Sequence, residues 1–110
     1  MSSKIESMEE VTVYIIANLQ IHDADRYREY EKGFFPILKK YEGQFITFDD
    51  NIVHMEGDTP MEGRVILLSF PTAKHAEVWY SSEEYQSLSV HRRASVTTTL
   101  TRVNGMPPRK

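Results

Sequence analysis

The chain has 110 residues, 40% hydrophobic and 26% charged, with 13 Lys+Arg against 16 Asp+Glu and no cysteine. That is the size of one globular domain with its own core, and the missing thiols exclude disulfides, thiolate metal sites and a cysteine nucleophile. A net charge of −3 speaks against nucleic acid or an anionic membrane as the main partner; no apolar run approaches the ~20 residues of a membrane span, so a soluble, cytoplasmic protein is expected.

Residues 1–10 are too polar for a signal peptide and read as a leader without apolar pattern. Residues 11–104 read as a single domain, and 105–110 as a tail broken by Gly105, Pro107 and Pro108. Val11 to Gln20 is rich in β-branched residues and reads as a strand. One of its faces, Val11, Val13, Ile15, Ala17 and Leu19, is wholly apolar, while the other carries Tyr14, Ile16 and Asn18. Asp23 suits the N-cap of a helix whose stripe runs through Tyr27, Tyr30, Phe34, Ile37 or Leu38, and Tyr41 at helical spacing. Pro36 is expected to bend that helix or restart it near Gly33, and Gly43 to close it in the left-handed conformation.

Gln44 to Asp49 reads as a second strand, Ile52 to Glu56 as a short one, and Arg64 to Phe70 as a third, apolar on both faces. Thr72 caps a helix carrying Ala73, Ala76, Trp79 and Tyr80. Ser81-Ser82-Glu83-Glu84 interrupts it. The capping-box spacing of Ser81 and Glu84 starts a second segment with Tyr85, Leu88 and Ala94, ending near Ser95. Val96 to Val103 is the last strand. Two strand–helix–strand halves in so short a chain predict an α+β ferredoxin-like plait, a four-stranded antiparallel sheet with two helical regions on one face. The uncovered face would carry Tyr14, Ile16, Val65 and Leu67, which marks an interaction surface. Pairing of two such faces in a homodimer is the expected solution, with cover by the leader and tail as the alternative.

A family resemblance follows from a series of motifs in order: Tyr14-Ile15-Ile16-Ala17, Asp23 with Tyr27, Tyr41-Glu42-Gly43, Met55-Glu56-Gly57, Arg64-Val65-Ile66-Leu67, and Phe70-Pro71-Thr72 followed by Trp79-Tyr80-Ser81-Ser82-Glu83-Glu84-Tyr85-Gln86. The chain resembles the family called domain of unknown function 1330 over Val11 to Gly105, its most specific part being the last block. The resemblance implies a dimeric α+β barrel, a wider group that includes cofactor-free monooxygenases, isomerases and haem enzymes, without assigning an activity. Two departures stand out: Glu83 where the family usually has proline, and Ser69 where it typically has glutamate. The second removes an acid from the sheet.

For chemistry, His54 and Glu56 lie two apart on the expected short strand and so share a face. They form either an acid–base pair, with Glu56 as the base, or a solvated edge. The histidines 22, 54, 75 and 91 have no metal-ligand spacing, so no metal is expected, and no phosphate loop or serine elbow appears, so no cofactor is expected either. Trp79 and Tyr85 flank the helix break, and form either an aromatic wall for a small ligand or plain core. Arg92, one or two turns on, is the candidate anion anchor. Tyr14 and Asn18 join the site only if their face meets the helices; Tyr14 suits the dimer interface better. Three readings remain: a cofactor-free enzyme acting on a small organic molecule, a non-catalytic dimer binding a metabolite or protein, and a structural module with a filled interior.

Overall fold

Alternation along the first strand sets the architecture. In the computed structural model, which describes residues 11–107, Val13, Ile15, Ala17 and Leu19 are buried, while Tyr14, Ile16 and Asn18 between them stay at least partly open. The apolar face therefore meets the helices, as period-two patterning requires. The expected leader and the last three residues of the expected tail lie outside the described residues.

The elements run β1 (Val13–Ile21), α1 (Ala24–Lys40), β2 (Gln44–Asp49), β3 (Arg64–Phe70), α2 (Ala73–Ser81), α3 (Glu83–Ser95) and β4 (Val96–Asn104). The four strands form one antiparallel sheet in the order β2-β3-β1-β4, the strand order of a ferredoxin-like plait. Val13, Ile15, Ala17, Leu19, Ile66, Leu68 and Phe70 of the sheet share one core with Tyr27, Tyr30, Phe34 and Leu38 of α1 and with Trp79 and Tyr85 of the later helices. No described helix is long and apolar enough to cross a membrane.

Helix starts follow side-chain chemistry. The Asp23 carboxylate accepts the Arg26 amide and the Thr72 hydroxyl accepts the His75 amide, each satisfying an orphan donor of a first turn. The second break uses Ser82 rather than the expected Ser81: Ser82 Oγ accepts the Tyr85 amide, while the Ser81 hydroxyl donates back to the Glu77 carbonyl. A serine one residue further along has the extended backbone a cap needs.

Three local expectations are corrected. Pro36 does not restart α1, which runs unbroken from Ala24 to Lys40 with the proline inside; the apolar stripe packed on the sheet outweighs one lost hydrogen bond. The left-handed residue after α1 is Glu42, with φ of 65°. Gly43 serves a close approach instead, since a Cβ there would lie 2.4 Å from Leu38 Cδ1 and 2.7 Å from the Phe70 ring. Ile52 to Glu56 forms no strand. β2 takes β3 as its hairpin partner, so the residues between them form a connection with no ladder of their own, and Val53, His54, Met55 and Glu56 are exposed.

Candidate functional site

A slip in β2 shapes the site. The register shifts between Phe45 and Thr47, so that Phe45 pairs with Leu68 and Phe48 with Ile66. Leu68 and Ile66 both face the helices, and the extra residue therefore turns two phenylalanines to the same side. With α1 above and α3 beside it, this face encloses a cavity of about 210 Å³. Its walls are mainly aromatic, from Tyr27, Tyr30 and Phe34 of α1, Phe45 and Phe48 of β2, Trp79 of α2 and Tyr85 of α3.

The two ends of the cavity differ. At the inner end Trp79, Tyr85, Tyr30 and Arg92 are each at most 5% exposed. The Trp79 and Tyr85 rings lie 4.3 Å apart between centroids, and the Tyr30 and Tyr85 hydroxyls are hydrogen-bonded at 2.7 Å. Burial, reinforced by the neighbouring Tyr85, pushes the Tyr30 phenol far above its ordinary range, so it stays a neutral donor or acceptor. The Arg92 guanidinium lies 5.7 Å from the centroid of the Tyr30 ring, within cation–π range.

At the outer end Phe35 and Phe48 are half-exposed, and Arg64 is held on three sides. It donates to both carboxylate oxygens of Asp50, at 2.7 and 3.1 Å, and to Glu31 at 3.3 Å, and its guanidinium lies 4.8 Å over the Phe48 ring. Between the ends, burial pushes the Tyr27 phenol up to about 12, with Glu31 adding to the rise and Arg64 opposing it.

Of the residues singled out from sequence, Tyr85, Arg92 and Trp79 meet in this cavity. Tyr14 and Asn18 do not. They pair with Ser69 and Val65 of β3 on the face away from the helices, and the Asn18 amide is spent on the Glu62 and Arg64 carbonyls at 2.9 and 3.2 Å. There it fastens the β2–β3 connection beside Gly63, where φ is 85° and a Cβ would lie 2.2 Å from the Leu19 carbonyl oxygen. Glu56 is absent from the cavity lining and stands exposed in the connection. The expected His54–Glu56 pair dissolves with the strand that carried it, and His54 Nε2 instead bonds the Gly57 carbonyl at 2.7 Å. Sequence reading passed over Tyr30, placed only in a core stripe, and the two phenylalanines of β2. The bulge that turns Phe45 and Phe48 inward has no signature in QFITFD.

Comparison with known proteins agrees with this architecture. The sequence profile of the domain of unknown function DUF1330 matches residues 12–106. No curated protein matches the chain. Among solved structures, a protein of unknown function from Rhodopseudomonas palustris superposes with a TM-score of 0.76 at 13% identity, covering 97% of this chain and 92% of its own. SnoaB, a cofactor-independent oxygenase from Streptomyces nogalater, superposes with a TM-score of 0.55 at 12% identity, covering 89% and 96%. A nipsnap family protein of unknown function from Agrobacterium tumefaciens gives 0.54 at 10% identity, covering 90% and 91%. At these identities the likeness is one of fold.

Proposed function

The chain belongs to the DUF1330 family, and we propose that it binds one small, largely apolar organic molecule in the cavity between sheet and helices. The observation that carries this reading is the cavity itself, about 210 Å³ walled by aromatic rings and closed at its inner end by hydroxyl, indole and guanidinium groups. Concave, mostly apolar space with a few convergent polar groups is the usual form of a small-molecule site. A structural module would have filled it. The test is a thermal-shift screen with small aromatic and alkyl compounds, where saturation at 100 times Kd raises stability by about 2.7 kcal/mol. Hits whose protection vanishes in Phe45→Trp, which fills the space, support the site; hits that ignore that change place binding elsewhere.

A second reading, a cofactor-free enzyme, is favoured by the Tyr30–Tyr85 pair. The two hydroxyls could stabilise charge developing on a ligand oxygen and pass a proton between them. SnoaB, with the same fold, is a cofactor-independent oxygenase. Turnover of a bound compound that Tyr85→Phe slows without weakening its binding would establish catalysis; binding without turnover leaves a binding protein.

We also propose a homodimer joined through the sheet face that the helices leave bare. Tyr14, Ile16, Val65 and Leu67 lie together on it through the β1–β3 register, and an apolar patch on an antiparallel sheet calls for cover. Val65→Asp or Leu67→Asp should give monomer or aggregate in sedimentation, because a charge would be buried there without a partner. A wild-type chain that sediments as a monomer at micromolar concentration would overturn this assembly.

A further inference from the structure

Among the described residues, no acid meets the buried cation of Arg92. It is 5% exposed, and arginine keeps its charge at any physiological pH. Among the described residues no carboxylate forms an ion pair with it, and its Nε has no hydrogen-bond partner. Glu31, the acid that shares the cavity lining with Arg92, is engaged with Arg64. The Tyr30 ring, with its centroid 5.7 Å from the guanidinium, supplies partial electrostatic cover but no counter-charge. An unpaired buried charge is strongly unfavourable, so its persistence calls for a group that arrives from solution.

Two further donors are orphaned in the same quarter. Trp79 Nε1 and Thr98 Oγ1 are buried without hydrogen-bond partners among the described residues. Trp79 and Arg92 both line the aromatic cavity, while Arg92 and Thr98 both line a second, more polar recess of about 430 Å³ between α3 and β4. Arg92 stands in the wall between the two spaces. We infer that the ligand is an organic carboxylate, its aromatic or alkyl body in the aromatic cavity and its carboxylate on the Arg92 fork, with the Thr98 hydroxyl and the Trp79 N–H as the neighbouring donors. This deepens the cavity reading above and rests on it. A monoanion fits better than a phosphate, because the second cation at hand, Arg93, is exposed and donates to Gln86 Oε1 at 2.6 Å. One planar fork matches one carboxylate bidentately.

The experiment compares matched acids and amides, phenylacetate with phenylacetamide and hexanoate with hexanamide. The readouts are the fluorescence of Trp79, the single tryptophan of the chain, and the melting temperature. Wild-type protein should bind each acid roughly tenfold or more tighter than its amide, since the amide cannot meet the charge. Arg92→Met should abolish that preference while melting no lower than wild type without ligand, because it removes an unpaired charge from the interior. Arg92→Lys, which keeps the charge and loses the fork, should retain a reduced preference and serves as the variant if the methionine form does not fold. Equal binding of acid and amide by wild type would overturn the carboxylate assignment and leave the cavity reading standing. Failure of every compound to bind would overturn both. Protection by inorganic phosphate alone, equal to that of the acids, would also overturn the assignment, since the apolar body would then go unread. An Arg92→Met protein that folds but melts well below wild type would mark the arginine as a structural residue and overturn it too.

Discussion

The two arginines of the cavity make an instructive pair. Arg64, at the outer end, has a side chain 20% exposed and is met by Asp50 on both oxygens and by Glu31. Arg92, at the inner end, is more deeply buried and meets no acid among the described residues. Stability alone would place the acids the other way round, because an ion pair matters most where water is absent. The outer end is therefore built as a self-sufficient clasp, and the inner end as a set of donors left open. Consistency across levels holds at the clasp and fails at the inner end, where functional sites are expected to break it.

The largest effect that would sharpen this contrast lies in the aromatic walls. Trp79 is 2% exposed and packs on Phe70 and Tyr85 at 5.0 and 4.3 Å between centroids. Trp79→Ala should lower unfolding free energy by roughly 3–5 kcal/mol, as large aromatic truncations in cores do. Phe48→Ala, at a ring half open to solvent, should cost less than about 1 kcal/mol. Equal losses in chemical denaturation would mean that both ends are one core and that the cavity is closed to ligands.

Those walls were only partly readable in advance. The wholly apolar run Val13, Ile15, Ala17 and Leu19 favoured one face of the first strand for the helices without excluding the other, and the helix break around Ser82 was written in capping residues. Both signals are local, and Trp79, Tyr85 and Arg92 could be assembled from them. Glu56 failed because its placement depended on a strand, and strands need a partner edge that no local pattern reveals. Asn18 failed for a related reason. Which backbone carbonyls its amide would meet depends on a connection 44 to 46 residues away in sequence, from Glu62 to Arg64. The bulge in β2 is set by pairing with β3, so the inward turn of Phe45 and Phe48 is a tertiary property.

A second, smaller effect follows from the buried phenols. The Tyr27 phenol is raised from 10.0 to about 12 in the folded chain, chiefly by burial, and the rise corresponds to about 3 kcal/mol. A raised acid keeps its contribution below the unfolded value and loses it as pH climbs through the folded one. Stability should therefore hold to about pH 10 and fall above it, with Tyr30, raised further by burial and by Tyr85, prolonging the decline. Tyr30→Phe should relieve more of the alkaline loss than Tyr27→Phe, since burial and the neighbouring Tyr85 raise the Tyr30 phenol further, against the opposing charge of Arg92. Urea midpoints followed from about pH 9 to about pH 12 provide the check. A flat profile would show that water reaches both rings and that the inner end is no drier than the outer.

The smallest effect belongs to the clasp. Its hydrogen bonds to Arg64 hold the Asp50 carboxyl below the usual carboxylate range, so its contribution is present above the unfolded value near ~3.9 and is lost as pH falls through the lower folded one. The Asp50 side chain is 51% exposed, and water and salt therefore screen most of the gain. An exposed pair of this kind contributes about 0.2–1 kcal/mol, with its bidentate geometry favouring the upper part of that range. Asp50→Asn should lower stability by that small amount at neutral pH, flatten the acid limb of the stability curve, and lose its effect in about 1 M salt, where the Debye length shrinks to ~3 Å. Phe48 should become more mobile in the variant, since the guanidinium over its ring loses its bidentate anchor. A loss well above 1 kcal/mol that salt leaves unchanged would place the clasp in a desolvated setting like that of Arg92. The contrast between a satisfied outer end and an open inner one would then rest on the missing acid alone, with burial no longer separating the two.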